Sequence, residues 1–281
     1  MMRGVIACIL CCATLHGPAA ELVCAGGNEV FVIDTDGDAS RKLWRWSGED
    51  AADLPVEARR EFNHLDECKP LENGAKLLVY ASNGGCALIE RATNRLLWRA
   101  RARNAHSLAL LPHDRIVAAS SLSGDHLEVF NLSGSAVPVF KTPLHSAHGL
   151  VWDEKRQCLW ALGFDELRAY TLEAWDSEQP VLKLKSSHPL PDMDGHDLRP
   201  VPDTNNLIIT TEKTVQLFDR ESASFKPHAL LGKEAGIKSV DVHPVTGRIV
   251  ISSWGPAIRL LEPSGTIHFE SARPYKVRWL R

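Results

Sequence analysis

Apolar and polar residues alternate in short runs along the chain, and each run stops at a turn former. One set of runs reads "EVFVIDTDG" from Glu29, "CALIERATN" from Cys86, "LEVFNLSGS" from Leu127, "LRAYTLEAW" from Leu167, "VQLFDRESA" from Val215 and "IRLLEPSGT" from Ile258. These runs end on Asp34, Glu90, Asn131, Thr171, Asp219 and Glu262. Alternation over four to eight residues followed by polar turn formers predicts half-buried strands. A second set, "KLLVYAS", "RIVAASS", "CLWALG", "NLIITT" and "RIVISS", precedes five of them. Some twenty-odd residues before each polar terminus a third type of run opens, at Lys69, His106, His148, His196 and Lys238. No 3.6-residue periodicity sustained over ten residues interrupts the series.

Units of about forty residues, each with room for four strands, are the pattern of a β-propeller. The two ends fix the blade number. "ELVCAGG" reads as a second strand that lacks an inner neighbour, and "YKVRWLR" at the other end reads as an inner strand with nothing after it. Joined, they complete a sixth blade and leave no unpaired edge. The expectation is an all-β, six-bladed propeller closed by pairing of the terminal strands near Leu22–Ala25.

The first residues differ from the rest. A positive start "MMR", the apolar run "GVIACILCCATL" and the small-residue ending "HGPAA" read as a signal peptide over 1–20, too short to span a bilayer. That leaves one propeller domain over 21–281, with no integral membrane segment after cleavage and a periplasmic or secreted location. A net charge of −3 with 24% charged residues gives no basic excess for nucleic acid. A monomer is expected. Cys24, Cys68, Cys86 and Cys158 would remain after cleavage, at spacings that match no zinc pattern, and read equally as disulfide formers or as small buried hydrophobes. "DTDGDAS" from Asp34 has alternating acids and a glycine but no twelfth-position glutamate, so a hairpin turn is preferred to a calcium loop. The eight tryptophans are read as packing between blades in preference to sugar stacking.

The segments "NAHSL", "HGLVWDEKRQCLWALGFDELRAY", "GHDLRPVP", "LFDR", "VHPVTGRIV" and "YKVRW" resemble a family of exported bacterial six-bladed propellers known only as a domain of unknown function. The resemblance covers Leu22 to Arg281. It implies fold and export, and carries no catalytic residues with it.

His106, His148 and His196 recur in one local setting, "AHSL", "AHGL" and "GHDL". Matched positions of successive inner strands face a common axis, so the three histidines are expected at one mouth of the channel. Lys69, Lys238 and Lys276 are expected to complete the circle, flanked by Asp66, Glu67, Asp197, Asp241 and Arg278. The closing strand can be read in either of two phases, from Tyr275 or Lys276. Three uses of such a ring stand open. The histidines can be structural, hydrogen-bonded within their own blades. They can hold zinc or another divalent transition metal. Or Lys69, Glu67, Lys238, Lys276, Arg278 and Asp197 can bind an anionic, carbohydrate-like ligand while a catalytic histidine moves a proton, as in a glycan lyase or hydrolase. A non-catalytic protein-interaction platform is the rival from another class.

Overall fold

The computed structural model describes residues 20–37 and 41–280. They form six four-stranded antiparallel sheets. In the first blade the chain supplies β1 (Glu21–Gly26), β2 (Glu29–Asp34) and β3 (Lys42–Trp46), and a short 3-10 helix (Val56–Phe62) follows. The second blade is β4 (Leu65–Leu71), β5 (Lys76–Ala81), β6 (Gly85–Glu90) and β7 (Arg95–Arg101). The third is β8 (Ala105–Leu111), β9 (Arg115–Ser120), β10 (His126–Asn131) and β11 (Phe140–Pro143), and the fourth is β12 (Gly149–Asp153), β13 (Cys158–Leu162), β14 (Glu166–Glu173) and β15 (Val181–Pro189). The fifth is β16 (Asp197–Pro200), β17 (Asn206–Thr210), β18 (Val215–Asp219) and β19 (Ser224–Pro227). The sixth is β20 (Ser239–Val242), β21 (Ile249–Ser252), β22 (Ala257–Leu261) and β23 (Gly265–His268), after which β24 (Lys276–Trp279) returns to the first.

There β24 pairs antiparallel with β1, setting Leu22 opposite Trp279, Val23 opposite Arg278, Cys24 opposite Val277 and Ala25 opposite Lys276. This is the closure expected from the two incomplete ends. The inner strands then touch in an unbroken cycle, β24 to β4, β8, β12, β16, β20 and back to β24. The fold is a six-bladed β-propeller.

Alternation is muted in β1 and β2 because both faces of their sheet are covered. Val23, Ala25, Val30 and Val32 pack against Leu77, Val79, Ala87 and Ile89 of the second blade. Leu22, Cys24, Phe31 and Ile33 pack on the other side against Val250, Ile258 and Leu260 of the sixth. Each blade is therefore core to two neighbours. The four cysteines in the described residues are buried and unbridged, and burial pushes the Cys24 and Cys86 thiols well above their ordinary range.

The polar strand ends fall where expected at Asp34, Glu90, Asn131 and Asp219, while β14 runs two residues past Thr171, beyond an irregularity at Ala169/Tyr170. The "DTDGDAS" segment joins β2 to β3, with the Asp36 N–H donating to Asp34 Oδ1 at 2.9 Å; residues 38–40 of it, like the segment read as a signal peptide up to residue 19, lie outside the described residues. Trp46, Trp98, Trp160, Trp175 and Trp279 are buried, but Trp254 is 64% exposed.

Candidate functional site

Backbone register defines the equivalent positions of the six inner strands independently of residue type. The N–H groups of His148, His196 and Lys238 donate to the carbonyls of Leu162, Thr210 and Ser252, each at 2.8 Å, and Tyr275 donates likewise to Ala25. In β4 and β8 a bulge between Leu65/Glu67 and Ala105/Ser107 brings Asp66 and His106 to the same position. The ring at the mouth is thus Asp66, His106, His148, His196, Lys238 and Tyr275. The next position inward holds Glu67, Ser107, Gly149, Asp197, Ser239 and Lys276. Cys68, Leu108, Leu150, Leu198, Val240 and Val277 follow, and then Lys69, Ala109, Val151, Arg199, Asp241 and Arg278.

The expected circle of three histidines and three lysines is therefore corrected. His106, His148, His196 and Lys238 stand in the ring. Lys69 lies three positions further in, because Cys68, and not a later apolar residue, takes the anchoring place that leucine fills beside the histidines. Lys276 lies one position further in, because the closing strand adopts the Tyr275 phase.

A local device presents the ring. In five blades the residue two places before the ring position is left-handed: His64 (φ 59°), Asn104 (44°), Ser146 (46°), Asp194 (63°) and Gly236 (73°). Asparagine, aspartate and glycine tolerate this region best. At the position after the ring residue, Gly149 has no room for a side chain, since an added Cβ would lie 2.5 Å from the Cβ of Leu198.

The imidazoles form a connected plate. His106 and His148 stack with centroids 4.4 Å apart and planes 14° from parallel, and His148 meets His196 edge-on at 5.6 Å. His148 Nδ1 lies 2.8 Å from the Ser146 carbonyl, which only accepts, so that nitrogen carries the proton. His196 Nε2 lies 2.6 Å from Lys238 Nζ and 3.1 Å from Glu212 Oε2. The Nδ1 atoms of His106 and His196 are buried and have no partner among the described residues. Burial pushes the His106 imidazole down to about 3 and lowers His148 and His196 as well, so the plate is neutral at pH 7. Burial raises the Asp66 carboxyl to about 6, against hydrogen bonds from the Ser82 N–H and hydroxyl.

This geometry does not assemble a three-histidine metal centre. Among the described residues, the set that brings one ligand atom each within 4.8 Å is Asp194, His196 and Glu212. The Lys238 ammonium already bonds to two of these, reaching Glu212 Oε2 at 3.0 Å.

Inside the mouth the remaining charges are paired with one another. Arg278 holds Asp197 through two parallel bonds of 2.9 and 2.7 Å and Glu67 at 3.0 Å. Lys276 lies 3.3 Å from Asp197 and 3.6 Å from Glu67, and donates to the His106 carbonyl at 3.1 Å. Arg199 bonds to Asp241 at 3.1 Å, and Asp241 also accepts the Trp279 N–H at 2.9 Å. Lys69 donates to Ser107 Oγ, the Leu108 carbonyl and the Leu150 carbonyl at 2.6, 2.9 and 2.7 Å. Burial alone would raise the Glu67 and Asp197 carboxyls, but the fields of Arg278 and Lys276 outweigh it and hold both below the usual range. Burial lowers Lys69 to about 7, with Glu67 opposing. Glu67, Lys276 and Arg278 are wholly buried and Asp197 and Lys69 nearly so. The residues expected as ligand contacts, Lys69, Glu67, Lys276, Arg278 and Asp197, instead tie blades together across the channel.

Stability should fall as pH drops from 7 to 4. His106 and His148 have folded pKa values below the unfolded value near 6.5, so their contribution is present above that pH and is lost as protons bind the unfolded chain. Asp66, raised, acts oppositely between about pH 4 and 6, but it is one group against three imidazoles, since His196 is lowered as well. Melting curves across this range should show the midpoint dropping by several degrees. A flat profile would contradict the buried, neutral plate.

Sequence reasoning placed Asp66 beside the ring and left Tyr275 as one of two phases of the closing strand; it missed Glu212 beside the ring, and the exposure of Trp254. Trp254 stands on the loop between β21 and β22 at φ 51°, its ring edge-on to Tyr275 at 5.7 Å. In the sequence the adjoining Gly255–Pro256 pair marks a turn. Among the described residues, no helix is long and apolar enough to cross a membrane.

Fold and site together define a closed six-bladed propeller with a charge-paired interior and a histidine-rich mouth. The chain belongs to a family of unknown function, DUF6528, whose model matches residues 14–280. No curated protein matches it.

Proposed function

We propose that the protein binds a small, polar, carbohydrate-like ligand on the ring of Asp66, His106, His148, His196, Lys238 and Tyr275, with Trp254 as its stacking wall. The observation that carries this reading is Trp254. A bulky residue at positive φ is strained, and at 64% exposure it recovers little of that cost by packing. It stands beside a ring whose side chains are hydrogen-bonding groups, two of them with unpartnered buried nitrogens. An aromatic face takes the C–H face of a sugar, and neutral imidazoles and a carboxylate suit its hydroxyls. The reading is one of binding. The cations that would acidify an α-proton in a lyase, Lys69, Lys276 and Arg278, are paired in the interior. The N-terminal pattern supports placing this function outside the cytoplasm, in the periplasm or secreted.

Leu122, Met193 and Leu230, more than half exposed on loops at the same end of the ring, favour a second reading, a docking face for a protein. A thermal-shift panel of neutral and acidic oligosaccharides separates the two. A glycan-binding mouth predicts a rise in melting temperature that Trp254→Ala removes without lowering the melting temperature of the free protein. No shift with any saccharide would reject the glycan reading and leave the docking face.

A further inference from the structure

A polar groove of about 670 Å³ opens between the second and third blades at the mouth end, lined by Arg101, Arg103, Lys141, Asn83, Asn104 and Ser123 among others. It adjoins the ring. Ser82, in its wall, bonds to Asp66, and Asn104 stands two residues before His106. Its charges are unbalanced. Lys141 is matched by Glu128 at 2.9 Å, and Glu128 is held further by Ser120 at 2.9 Å. Arg101 is 71% exposed and reaches Glu61 at 4.0 Å, a long and solvent-screened pair with a carboxylate that Arg99 shares at 3.7 Å. Arg103 has no ion-pair partner among the described residues. The lining thus carries three cations, Arg101, Arg103 and Lys141, against one carboxylate, Glu128, in a chain whose net charge is −3.

We propose that this groove is an anion-binding subsite that continues the mouth, so that the ligand is an acidic oligosaccharide. Its sugar rings run from Trp254 past Tyr275 and His106, and its acidic groups meet Arg101 and Arg103. A guanidinium fork matches a carboxylate or sulfate through paired N–H donors, whereas the ring itself offers a single cation, Lys238, already bonded to Glu212. The proposal rests on the glycan reading of the mouth and adds the charge of the ligand to it.

The test is calorimetric titration of the full chain with tetragalacturonate, a sulfated tetrasaccharide and neutral galactotetraose. An acidic tetramer should bind about tenfold tighter than the neutral one, the size expected of one or two charge-assisted contacts. The Arg101→Gln/Arg103→Gln variant should lose this preference and keep its affinity for the neutral tetramer. Which acidic tetramer shows the preference assigns carboxylate or sulfate. Equal affinity for acidic and neutral tetramers, or a preference that survives the double variant, would overturn the groove while leaving the mouth standing. If none of the three binds, the mouth and the groove fall together.

Discussion

Deleting Tyr275–Arg281 should abolish the cooperative fold of the whole ring. The segment is terminal in sequence but central in space. It supplies the inner strand of the first blade, and Val277 and Trp279 are buried completely in the core shared with the sixth. It also carries Lys276 and Arg278, so its loss strands Glu67 and Asp197 in the interior without their principal partners. The inner edge of β1 would be left unpaired, and the contacts of β24 with β4 and β20 would vanish together. Opening a propeller exposes edges on both sides of the gap. The expected result is a protein recovered in aggregates or melting without a sharp transition. A truncated chain with the midpoint of the intact one would contradict ring closure by β24.

A single substitution should approach this in severity. Arg278→Met keeps the volume and removes the charge, leaving Asp197 without its paired bonds and Glu67 without its 3.0 Å contact. Breaking a buried ion network on one side costs about 3–5 kcal/mol, because the surviving charges remain desolvated. The pH dependence identifies the cause. Glu67 and Asp197 are depressed in the intact protein, so their contribution is present above the unfolded carboxylate range near 4 and is lost as pH falls below it. In the variant the two carboxyls share only Lys276 as a close cation and are less depressed. The gap between variant and parent should therefore be widest near neutral pH and narrow on acidification. Denaturant unfolding at pH 7 and pH 4 measures both. A gap below about 1 kcal/mol, the usual value of a surface pair, would show that these groups are not the tie the structure describes.

The architecture was legible because its signals are local and repeated. Six alternating runs with polar ends mark third strands, and the two incomplete ends at Glu21 and Tyr275 reveal both the blade number and the closure. The chemistry of the mouth was legible only in part. The histidines declare themselves through a shared "small–His–x–Leu" frame, and Lys238 sits in the same phase before Ser239 and Val240. The second blade hides its phase by writing the frame as Leu65–Asp66–Glu67–Cys68, with cysteine where leucine or valine anchors the others. With Lys69 as the opening residue, Asp66 falls beside the ring instead of in it, and Glu67 reads as a ligand contact instead of a buried partner of Arg278. Whether Lys276 faces solvent or Asp197 depends on one residue of register, and the pairing of Ala25 with Lys276 is a long-range fact that no local pattern encodes. The pairing of Arg278 with Glu67 and Asp197 joins three blades and is likewise invisible along the chain. Trp254 escaped because seven other tryptophans made packing the reasonable reading for all eight.

The most direct test of the central claim, a glycan site on the histidine mouth with the interior charges reserved for closing the ring, is a crystal structure in saturating tetragalacturonate. The expected result is a sugar ring on the face of Trp254, hydroxyls within hydrogen-bond distance of His106 or His196, a carboxylate at Arg101 or Arg103, and the Arg278–Asp197–Glu67 contacts unchanged. A tetramer bound at the opposite end of the ring, or one that draws Lys276 or Arg278 out of the interior to meet it, would contradict the account.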